Sequence, residues 1–414
     1  MDLLSPKVKP YPWGTRDAIA DLQGRPVPAP GPEAELWLGA HPSAPSGVAW
    51  TTLDEVIGAA PERALGVECA ARFGDRLPFL LKVLSAAKAL SIQLHPSRAQ
   101  AQRGYAAENA RGLPPGDPGR NYVDDWPKPE LLYALTPFEV AAGLRTPQDA
   151  AALLRALNVP ALEPLAAGLS DAADDDVLAT ALASVLRWPS ADRAGLIAAV
   201  IAACERLAAD GGPYADACAA VVRAAADFPD DLGLVALLLM RHAILQPGQA
   251  VFMPAGGLHA YLRGTGIELL ANSDNVIRSG LTGKHIDVPE LLKLLDPSVA
   301  VPVLAPRILP DGITWFDTPA PEFRLHVIEL STPELGGPEL ALPGAGPRIL
   351  LCLDGSCALR AASAATLDLI RGDACFIPFA DGPVAASGHA RLILATPGPT
   401  PARAGERVPP AAIP

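Results

Sequence analysis

The sequence lacks the features that mark several common classes of protein. Its 6 cysteines among 414 residues form no CxxC pair and show no regular spacing, which favours reduced cysteines in a cytoplasmic protein. Basic runs are also missing: 33 lysine and arginine residues against 45 acidic ones give a formal net charge of -12 and a pI near 5.1. This balance argues against nucleic acid or a membrane surface as a partner.

Long apolar runs are missing as well. The N-terminal stretch MDLLSPKVKPYPWG has no apolar signal-peptide core. The longest apolar runs, Leu196 to Cys204 and Leu234 to Met240, are far shorter than the roughly 20 residues of a membrane span. We therefore expect a cytoplasmic protein without a membrane partner. A small anionic substrate is compatible with the charge, because a few cationic side chains in a cleft can dominate locally.

The sequence pattern changes twice along the chain. Strand-like segments and turns rich in Gly and Pro dominate the first third, helical spacing replaces them, and the strand pattern then resumes. We predict a mainly β protein with an all-helical insert and two double-stranded β-helix (jelly-roll) barrels. The predicted domains are a catalytic barrel from 1–145 and 245–300, the helical insert at 146–244, a C-terminal barrel at 301–400, and a loose tail at 401–414.

A short internal repeat supports two related barrels. The stretch LQPGQAVFMP at 245–254 matches LIRGDACFIP at 369–378, with Leu, Gly, Ala, Phe and Pro at the same offsets. Both are typical of a glycine-led turn into a barrel strand. His259 follows the first copy, whereas Pro383 takes the matching place after the second. Only the first barrel is therefore expected to keep a metal ligand.

Four scattered residues form a candidate metal site. Gln93 and His95 are two residues apart on a predicted strand, so their side chains point to the same face. His259 adds an imidazole and Glu130 a carboxylate, and a place is left for water or substrate. Taken singly, each residue is more often structural. The barrel pattern around His259, together with Glu268, Arg278 and Lys284, favours the metal site.

Glu268 is a candidate general base, because a carboxylate beside a metal can take a proton from carbon. Gly264 and Gly266 separate it from His259, which predicts a hairpin that brings the two residues close together. From spacing alone, a solvated or ion-paired strand glutamate is an equally good interpretation.

Cationic side chains accompany these groups. Arg278 and Lys284 lie in a segment rich in Ser, Gly and Thr that suits an anionic oxygen cluster, with ordinary surface charge as the alternative. Lys82 interrupts a buried apolar strand and therefore needs a partner or a ligand. Lys128 lies between two prolines on a stiff turn. Asp274 is expected to orient neighbouring residues or to cap the loop.

Longer motifs stand in the chain in a fixed order: YPWGTRDAIADL, AELWLGAHPSAPS, LPFLLKVLSAAKALSIQLHPS, PKPELLYALTPFEVAAGLR and GGLHAYLRGTGIELLANSDNVIRSGLTGKHIDV. Together they resemble the type I mannose-6-phosphate isomerases (phosphomannose isomerases) of the cupin superfamily. The resemblance is close over about residues 5–145 and 245–295. The helical insert and the C-terminal barrel resemble the family in arrangement only.

The resemblance implies an enzyme that interconverts mannose 6-phosphate and fructose 6-phosphate through an enediol, in mannose and GDP-mannose metabolism. It implies cupin barrels and one zinc ion per chain, and we expect a monomer. The zinc ligands would be Gln93, His95, Glu130 and His259; the catalytic residues Arg278, Glu268 and Lys128; and the substrate-binding residues Lys82, Lys284, Asp274 and Tyr261.

The sequence departs from the family at one position and is compatible with two other functions. Family members often have histidine before Lys-Pro-Glu, where this chain has Pro127, which weakens a mechanism that needs that histidine. A catalytically silent sugar-phosphate sensor is one alternative, although such a sensor needs no base at Glu268. An iron-dependent oxygenase on the same scaffold is the other. The sequence also leaves open whether Arg278 binds the phosphate or the enediolate.

Overall fold

The computed structural model describes residues 1–171, 174–309, 311–331 and 339–399. The predicted loose tail at 401–414 lies outside the described residues. The protein is mainly β with a helical region, as the sequence predicted. None of the helices in the described ranges is both long and apolar enough to cross a membrane.

The described strands are β1 (Asp2–Ser5), β2 (Lys7–Lys9), β3 (Glu35–Leu38), β4 (Gly47–Val48), β5 (Thr51–Thr52), β6 (Phe79–Ala86), β7 (Ile92–Leu94), β8 (Glu130–Ala134), β9 (Phe138–Leu144), β10 (Met240–Leu245), β11 (Ala250–Met253), β12 (His259–Ala271), β13 (Ile277–Gly280), β14 (Pro306–Ile308), β15 (Thr314–Phe316), β16 (Arg324–Ser331), β17 (Leu340–Ala341), β18 (Arg348–Ala361), β19 (Thr366–Ile370), β20 (Ala374–Ile377) and β21 (Val384–Thr396). The described α-helices are α1 (Ala18–Leu22), α2 (Leu53–Ala59), α3 (Pro61–Leu65), α4 (Val67–Phe73), α5 (Arg98–Ala110), α6 (Pro147–Leu157), α7 (Glu163–Ser170), α8 (Asp176–Leu186), α9 (Ser190–Asp210), α10 (Ala215–Ala225), α11 (Gly233–Leu238) and α12 (Val288–Leu294).

The chain divides into two compact units. The site unit comprises Val8–Trp37 and Lys82–Leu304, and the C-terminal unit comprises Met1–Lys7, Leu38–Leu81 and the chain from Ala305 onward. The described strands of the C-terminal unit form an 11-stranded sheet in the order β14-β15-β16-β21-β18-β20-β1-β4-β5, with β17 on β21 and β19 on β18. Strand β1 belongs here because it pairs with β20 and β4. The domain boundaries suggested by the sequence remain predictions.

The other described sheet is 10-stranded, in the order β10-β9-β12-β6-β3-β2, with β7 and β8 on β12, β13 on β7 and β11 on β8. Among the described residues both sheets branch, and neither closes into a barrel with one continuous ladder. The physical reason is visible in β12, whose first half pairs with β7 and β9 and whose second half pairs with β8. A strand that changes partners lets a sheet turn a corner without one continuous ladder.

Helices α6 to α11, the helical region, cover one face of the strands around the site. Ala260 of β12, Ile277 of β13 and Leu94 of β7 are buried in one apolar cluster with the helix residues Leu182 and Val200. Burial of a leucine or valine contributes roughly 1.5–3 kcal/mol, so this interface holds the strands firmly. Because side chains alternate along a strand, the residues between them point away from the helices.

The internal repeat of the sequence is one turn geometry used twice. Gly248 and Gly372 have φ values of 92° and 89°, in the left-handed region that glycine reaches without strain. In each copy the residue after the glycine donates its N–H to the carbonyl three residues earlier at 2.9 Å. The side chain of that residue, Gln249 or Asp373, accepts from the N–H three residues earlier. The predicted match therefore reflects the same local structure.

Candidate metal centre and active site

Three neighbouring strands place predicted site residues in one row. Gln93 of β7 is the Cα partner of His259 in β12 and of Arg278 in β13. Residues directly opposed on paired strands point to the same face, which here is the face turned away from the helical region. His95 follows two residues after Gln93, just beyond the end of β7, and is carried to the same side.

His95, Glu130 and His259 converge although they come from distant segments. Their ligand atoms all lie within 4.8 Å of one another, and each residue is at most 1% exposed. Nε2 of His95 is 3.0 Å from Oε1 of Glu130, and Nε2 of His259 is 3.4 Å from Oε2. The structure thus brings together the two imidazoles and the carboxylate that the sequence singled out.

Backbone carbonyls fix which nitrogen of each imidazole carries the proton. Nδ1 of His95 lies 2.7 Å from the carbonyl of Asn275, and Nδ1 of His259 lies 3.0 Å from that of Gly257. A carbonyl only accepts, so each Nδ1 is the donor and each Nε2 presents a lone pair. Burial lowers the pKa of His95 to about 4, with Glu130 opposing, so this ring is neutral at neutral pH.

The Nε2 lone pairs of His95 and His259 face the carboxylate of Glu130, which like them only accepts hydrogen bonds. Burial acts to raise the pKa of Glu130, but the Lys128 ammonium holds it well below its ordinary value. Among the described residues, neither buried Nε2 has a hydrogen-bond donor that faces it. Acceptors turned toward one another in a dry site are unfavourable unless a cation joins them. Two imidazoles and a carboxylate, with Nδ1–H on carbonyls, fit a catalytic zinc ion.

Lys128 and Tyr261 contact Glu130 from two sides. Nζ of Lys128 lies 3.1 Å from Oε1, and the hydroxyl of Tyr261 donates to Oε2 at 3.2 Å. Burial first, and then Glu130 and Glu268, raise the pKa of Tyr261 well above its ordinary value, so its hydroxyl remains a donor. The structure therefore places Tyr261 on a candidate metal ligand, and its predicted contact with substrate stays a prediction.

Lys82, which the sequence showed to need a partner, has two. Its Nζ lies 3.0 Å from Oε2 of Glu268 and 3.6 Å from Oε1 of Glu35. Burial acts to lower the pKa of Lys82, but the surrounding carboxylates hold it above its ordinary value. Burial raises the pKa of Glu268 to about 7, with the Lys82 ammonium opposing. Such a pKa suits a group that takes and returns a proton near neutral pH.

Glu268 reaches the site on the same strand as His259, and the predicted hairpin between them is wrong. Strand β12 runs unbroken through Gly264 and Gly266. Gly264 has a φ of 132°, and the register of β12 against β9 shifts just before it. These glycines therefore bend a continuing strand at a bulge and do not reverse it.

Arg278 and Lys284 bring positive charge that the protein does not neutralise. Among the described residues, neither side chain has a hydrogen-bond acceptor or a salt-bridge partner. Burial and then the charge of Arg278 lower the pKa of Lys284, with the Glu35 carboxylate opposing. Asp274 is exposed, and its backbone N–H donates to Asp124 at 2.9 Å.

Two site residues were missed by reasoning from the sequence. Glu35 faces Lys82, and a carboxylate in the apolar run ELWL was the signal that could have found it. Asn275 is fully buried, and its side chain donates to the carbonyl of Trp126 at 2.8 Å while its own carbonyl orients His95. No pattern in a single sequence separates this asparagine from one that caps a turn.

Comparisons with known sequences agree with this geometry. The family described as "Phosphomannose isomerase type I, catalytic domain" matches residues 1–147. The chain is 35% identical over 400 residues to the mannose-6-phosphate isomerase of Escherichia coli (strain K12), covering 95% of this chain and 98% of that relative. It is 36% identical over 402 residues to the mannose-6-phosphate isomerase of Salmonella typhimurium, again covering 95% and 98%.

Solved structures show the same similarity in three dimensions. A zinc-bound holo mannose 6-phosphate isomerase matches with a TM-score of 0.86 at 34% identity, covering 96% of this chain and 99% of that chain. A point variant of phosphomannose isomerase from Salmonella typhimurium matches with a TM-score of 0.88 at 33% identity, covering 96% and 100%. The similarity extends over nearly the whole chain.

Proposed function

The chain belongs to the type I phosphomannose isomerase family, and we propose that it is the zinc-dependent enzyme that interconverts mannose 6-phosphate and fructose 6-phosphate. The observation that carries the proposal is the pair of buried Nε2 lone pairs of His95 and His259 turned toward the carboxylate of Glu130. Zinc is the cofactor that suits this set of donors. One ion per chain would be held by Gln93, His95, Glu130 and His259.

The reaction defines what the side chains must do. An aldose becomes a ketose when one proton moves from C2 to C1 and the hydroxyl proton of O2 moves to O1, and negative charge develops on a substrate oxygen between the two steps. Zinc, when bound, supplies a Lewis acid that stabilises such charge. Binding the phosphate, opening the sugar ring and carrying the proton are tasks for residues of this chain.

Glu268 is the residue that carries the proton. As a carboxylate it takes the proton from C2, and as a carboxyl group it delivers that proton to C1. Lys82, at 3.0 Å, holds one carboxylate oxygen and orients the group. Because burial raises the pKa of Glu268 to about 7, both protonation states are populated near neutral pH. A group that accepts and then donates within one turnover needs both.

Arg278, Lys284 and Lys128 serve the charged oxygens of the substrate. Arg278 shares a row with His259 through Gln93, so its guanidinium suits the enediolate at the reacting carbons. Lys284 lies farther along the same segment and suits the phosphate. Lys128, buried beside Glu130, donates a proton to the ring oxygen as the sugar opens and recovers one from the O1 hydroxyl, which becomes the aldehyde oxygen.

Position 127 takes no part in this scheme. Pro127 has no titratable group, so the proton transfer that a histidine there could perform is assigned to Glu268. Asp274 and Tyr261 are proposed to help bind the sugar. We propose that the enzyme acts as a cytoplasmic monomer in mannose and GDP-mannose metabolism.

A coupled assay of mannose 6-phosphate conversion tests the function, with glucose 6-phosphate and ribose 5-phosphate measured alongside. We expect turnover of mannose 6-phosphate by protein with about one zinc per chain, since the ligand set closes around a single ion. Stoichiometric iron together with oxygen consumption would favour the oxygenase alternative. Binding of mannose 6-phosphate without turnover would favour the sensor.

A further inference from the structure

The segment that carries Arg278 and Lys284 is tied to the helical region by the carboxylate of Asp231. Residues Arg278–Lys284, here the cation segment, include the end of β13 and the loop after it. Oδ2 of Asp231 accepts the N–H of Thr282 at 3.0 Å, and Oδ1 accepts the N–H of Gly233 at 2.7 Å. Gly233 is the first residue of helix α11, so Asp231 bridges that helix and the cation segment.

The bridge continues to the backbone of Lys284. The hydroxyl Oγ1 of Thr282 accepts the N–H of Lys284 at 3.0 Å. Asp231 thus fixes the backbone of Thr282, and the side chain of Thr282 fixes the backbone of Lys284. Thr282 therefore links the carboxylate of Asp231 to Lys284, the lysine that the proposed function assigns to the phosphate.

The backbone of the cation segment is not one that its sequence prefers. Leu281, at the centre, has a φ of 54°, in the left-handed region that costs a leucine free energy. Its neighbour Gly280 approaches Gly233 so closely that a Cβ on Gly280 would lie 2.6 Å from the Cα of Gly233. The positive φ of Leu281 and the close approach of Gly280 to Gly233 both require stabilising contacts from outside the segment, because neither persists without the surrounding structure.

Side-chain packing holds the centre of the cation segment, because Leu281 is buried in the apolar cluster that it shares with the helices. The loop beside it borders a cavity of about 570 Å³, whose lining includes Ser279, Thr282 and Gly283 as well as Phe228 and Asp230. Where a segment borders a cavity, the hydrogen bonds that cross to the opposite wall set its position. The hydrogen bond from the N–H of Thr282 to Asp231 is one that crosses in this way.

We propose that Asp231 is a positioning residue, which fixes the cation segment in the conformation in which Lys284 binds the phosphate of the substrate. The helical region thereby takes part in substrate binding although it contributes no residue to the metal cluster. The identity of the anion rests on the proposed function. The mechanical link from Asp231 through Thr282 to Lys284 rests on the contacts alone.

The test compares Asp231→Asn with the wild-type chain, both loaded with zinc. The amide keeps the shape of the side chain but presents an NH₂ group to one of the two N–H donors. We expect the Kd of inorganic phosphate, measured by titration calorimetry, to rise about tenfold, and kcat/KM for mannose 6-phosphate to fall by a similar factor. Zinc content is expected to stay at the wild-type value.

Two further variants sharpen the comparison. Thr282→Val removes the acceptor for the N–H of Lys284 and is expected to weaken phosphate binding to a similar degree. Because the residues act in series, the double variant with Asp231→Asn should be far less than additive. Asp230→Asn is the matched control: this carboxylate borders the same cavity and makes no hydrogen bond to the cation segment among the described residues.

Distinct outcomes overturn distinct claims. A wild-type phosphate Kd in Asp231→Asn overturns the positioning role, as does a loss confined to melting temperature or folded fraction. Should Asp231→Asn fail to fold, the phosphate Kd of Thr282→Val tests the link instead, and a wild-type value there overturns the positioning role. A wild-type chain that binds phosphate but does not isomerise mannose 6-phosphate overturns the proposed function, and the calorimetric comparison still decides the role of Asp231.

Discussion

The ammonium of Lys82 lies 3.0 Å from the carboxylate of Glu268, and both residues are buried. In a dry site each charge favours the ionised form of the other, whereas burial alone opposes both. The protonation of Glu268 is therefore set by a balance between its surroundings and one neighbour. A group balanced in this way can change its protonation during a reaction at neutral pH.

Glu268→Gln is expected to lower kcat for mannose 6-phosphate by roughly 10²–10⁴, since that is the usual contribution of a general base. The amide keeps the shape of the side chain and still offers Lys82 an acceptor, so zinc and substrate binding should persist. Steady-state kinetics, zinc analysis and calorimetry with mannose 6-phosphate measure the three quantities. The assignment of the base fails if kcat stays within about twofold of the wild type.

The pH dependence of kcat/KM should report Glu268. The base works as a carboxylate, so activity falls as pH drops through its pKa, which burial raises to about 7. A zinc ion nearby lowers this value, and the acid limb is expected between about 4.3, an ordinary glutamate, and 7. Lys82→Met removes the charge that favours ionisation and should move the limb to higher pH by about one unit or more.

Lys88→Met is the control for this pH experiment, because Lys88 is an exposed lysine paired with Asp227 at 2.5 Å. Its acid limb should coincide with that of the wild type. An acid limb in Lys82→Met that stays in place or moves to lower pH would contradict the assigned pair.

His259→Ala is expected to lose zinc and isomerase activity together, because it removes one of two imidazoles from the candidate metal centre. The helical region should stay folded, since His259 points away from its apolar core. Elemental analysis and far-UV circular dichroism check both statements, and chelation of the wild-type enzyme followed by added zinc should abolish and then restore turnover. His242→Ala, at an imidazole bound to Glu139 instead, serves as control and should retain zinc.

Gly264→Ala should destabilise the site unit although it touches no site residue. Its φ of 132° is unfavourable for alanine, and a Cβ there would lie 2.8 Å from the Cα of Phe138. We expect a loss of more than about 1 kcal/mol in the free energy of unfolding, measured by denaturant titration. Gly168→Ala in helix α7, where a Cβ meets open space, should match or exceed the wild type.

Local patterns in the sequence were enough to predict structural features that depend only on residues close together along the chain. The two-residue period of a strand placed Gln93 and His95 on one face, and a matched glycine turn exposed the internal repeat. The same reasoning was wrong at Gly264, because a glycine with positive φ serves a turn and a bulge equally well. Local sequence does not distinguish the two, since the difference lies in the partner strand.

The sequence by itself therefore determined the mainly β class, the helical region, and the residue types that could bind a metal and move a proton. Only the tertiary structure decided which of them meet. The carbonyl that fixes the tautomer of His95 comes from Asn275, 180 residues away, and the carboxylate that holds Thr282 comes from Asp231, 51 residues away. Contacts at such separations follow from strand pairing and helix packing, and no periodicity within a single segment encodes them.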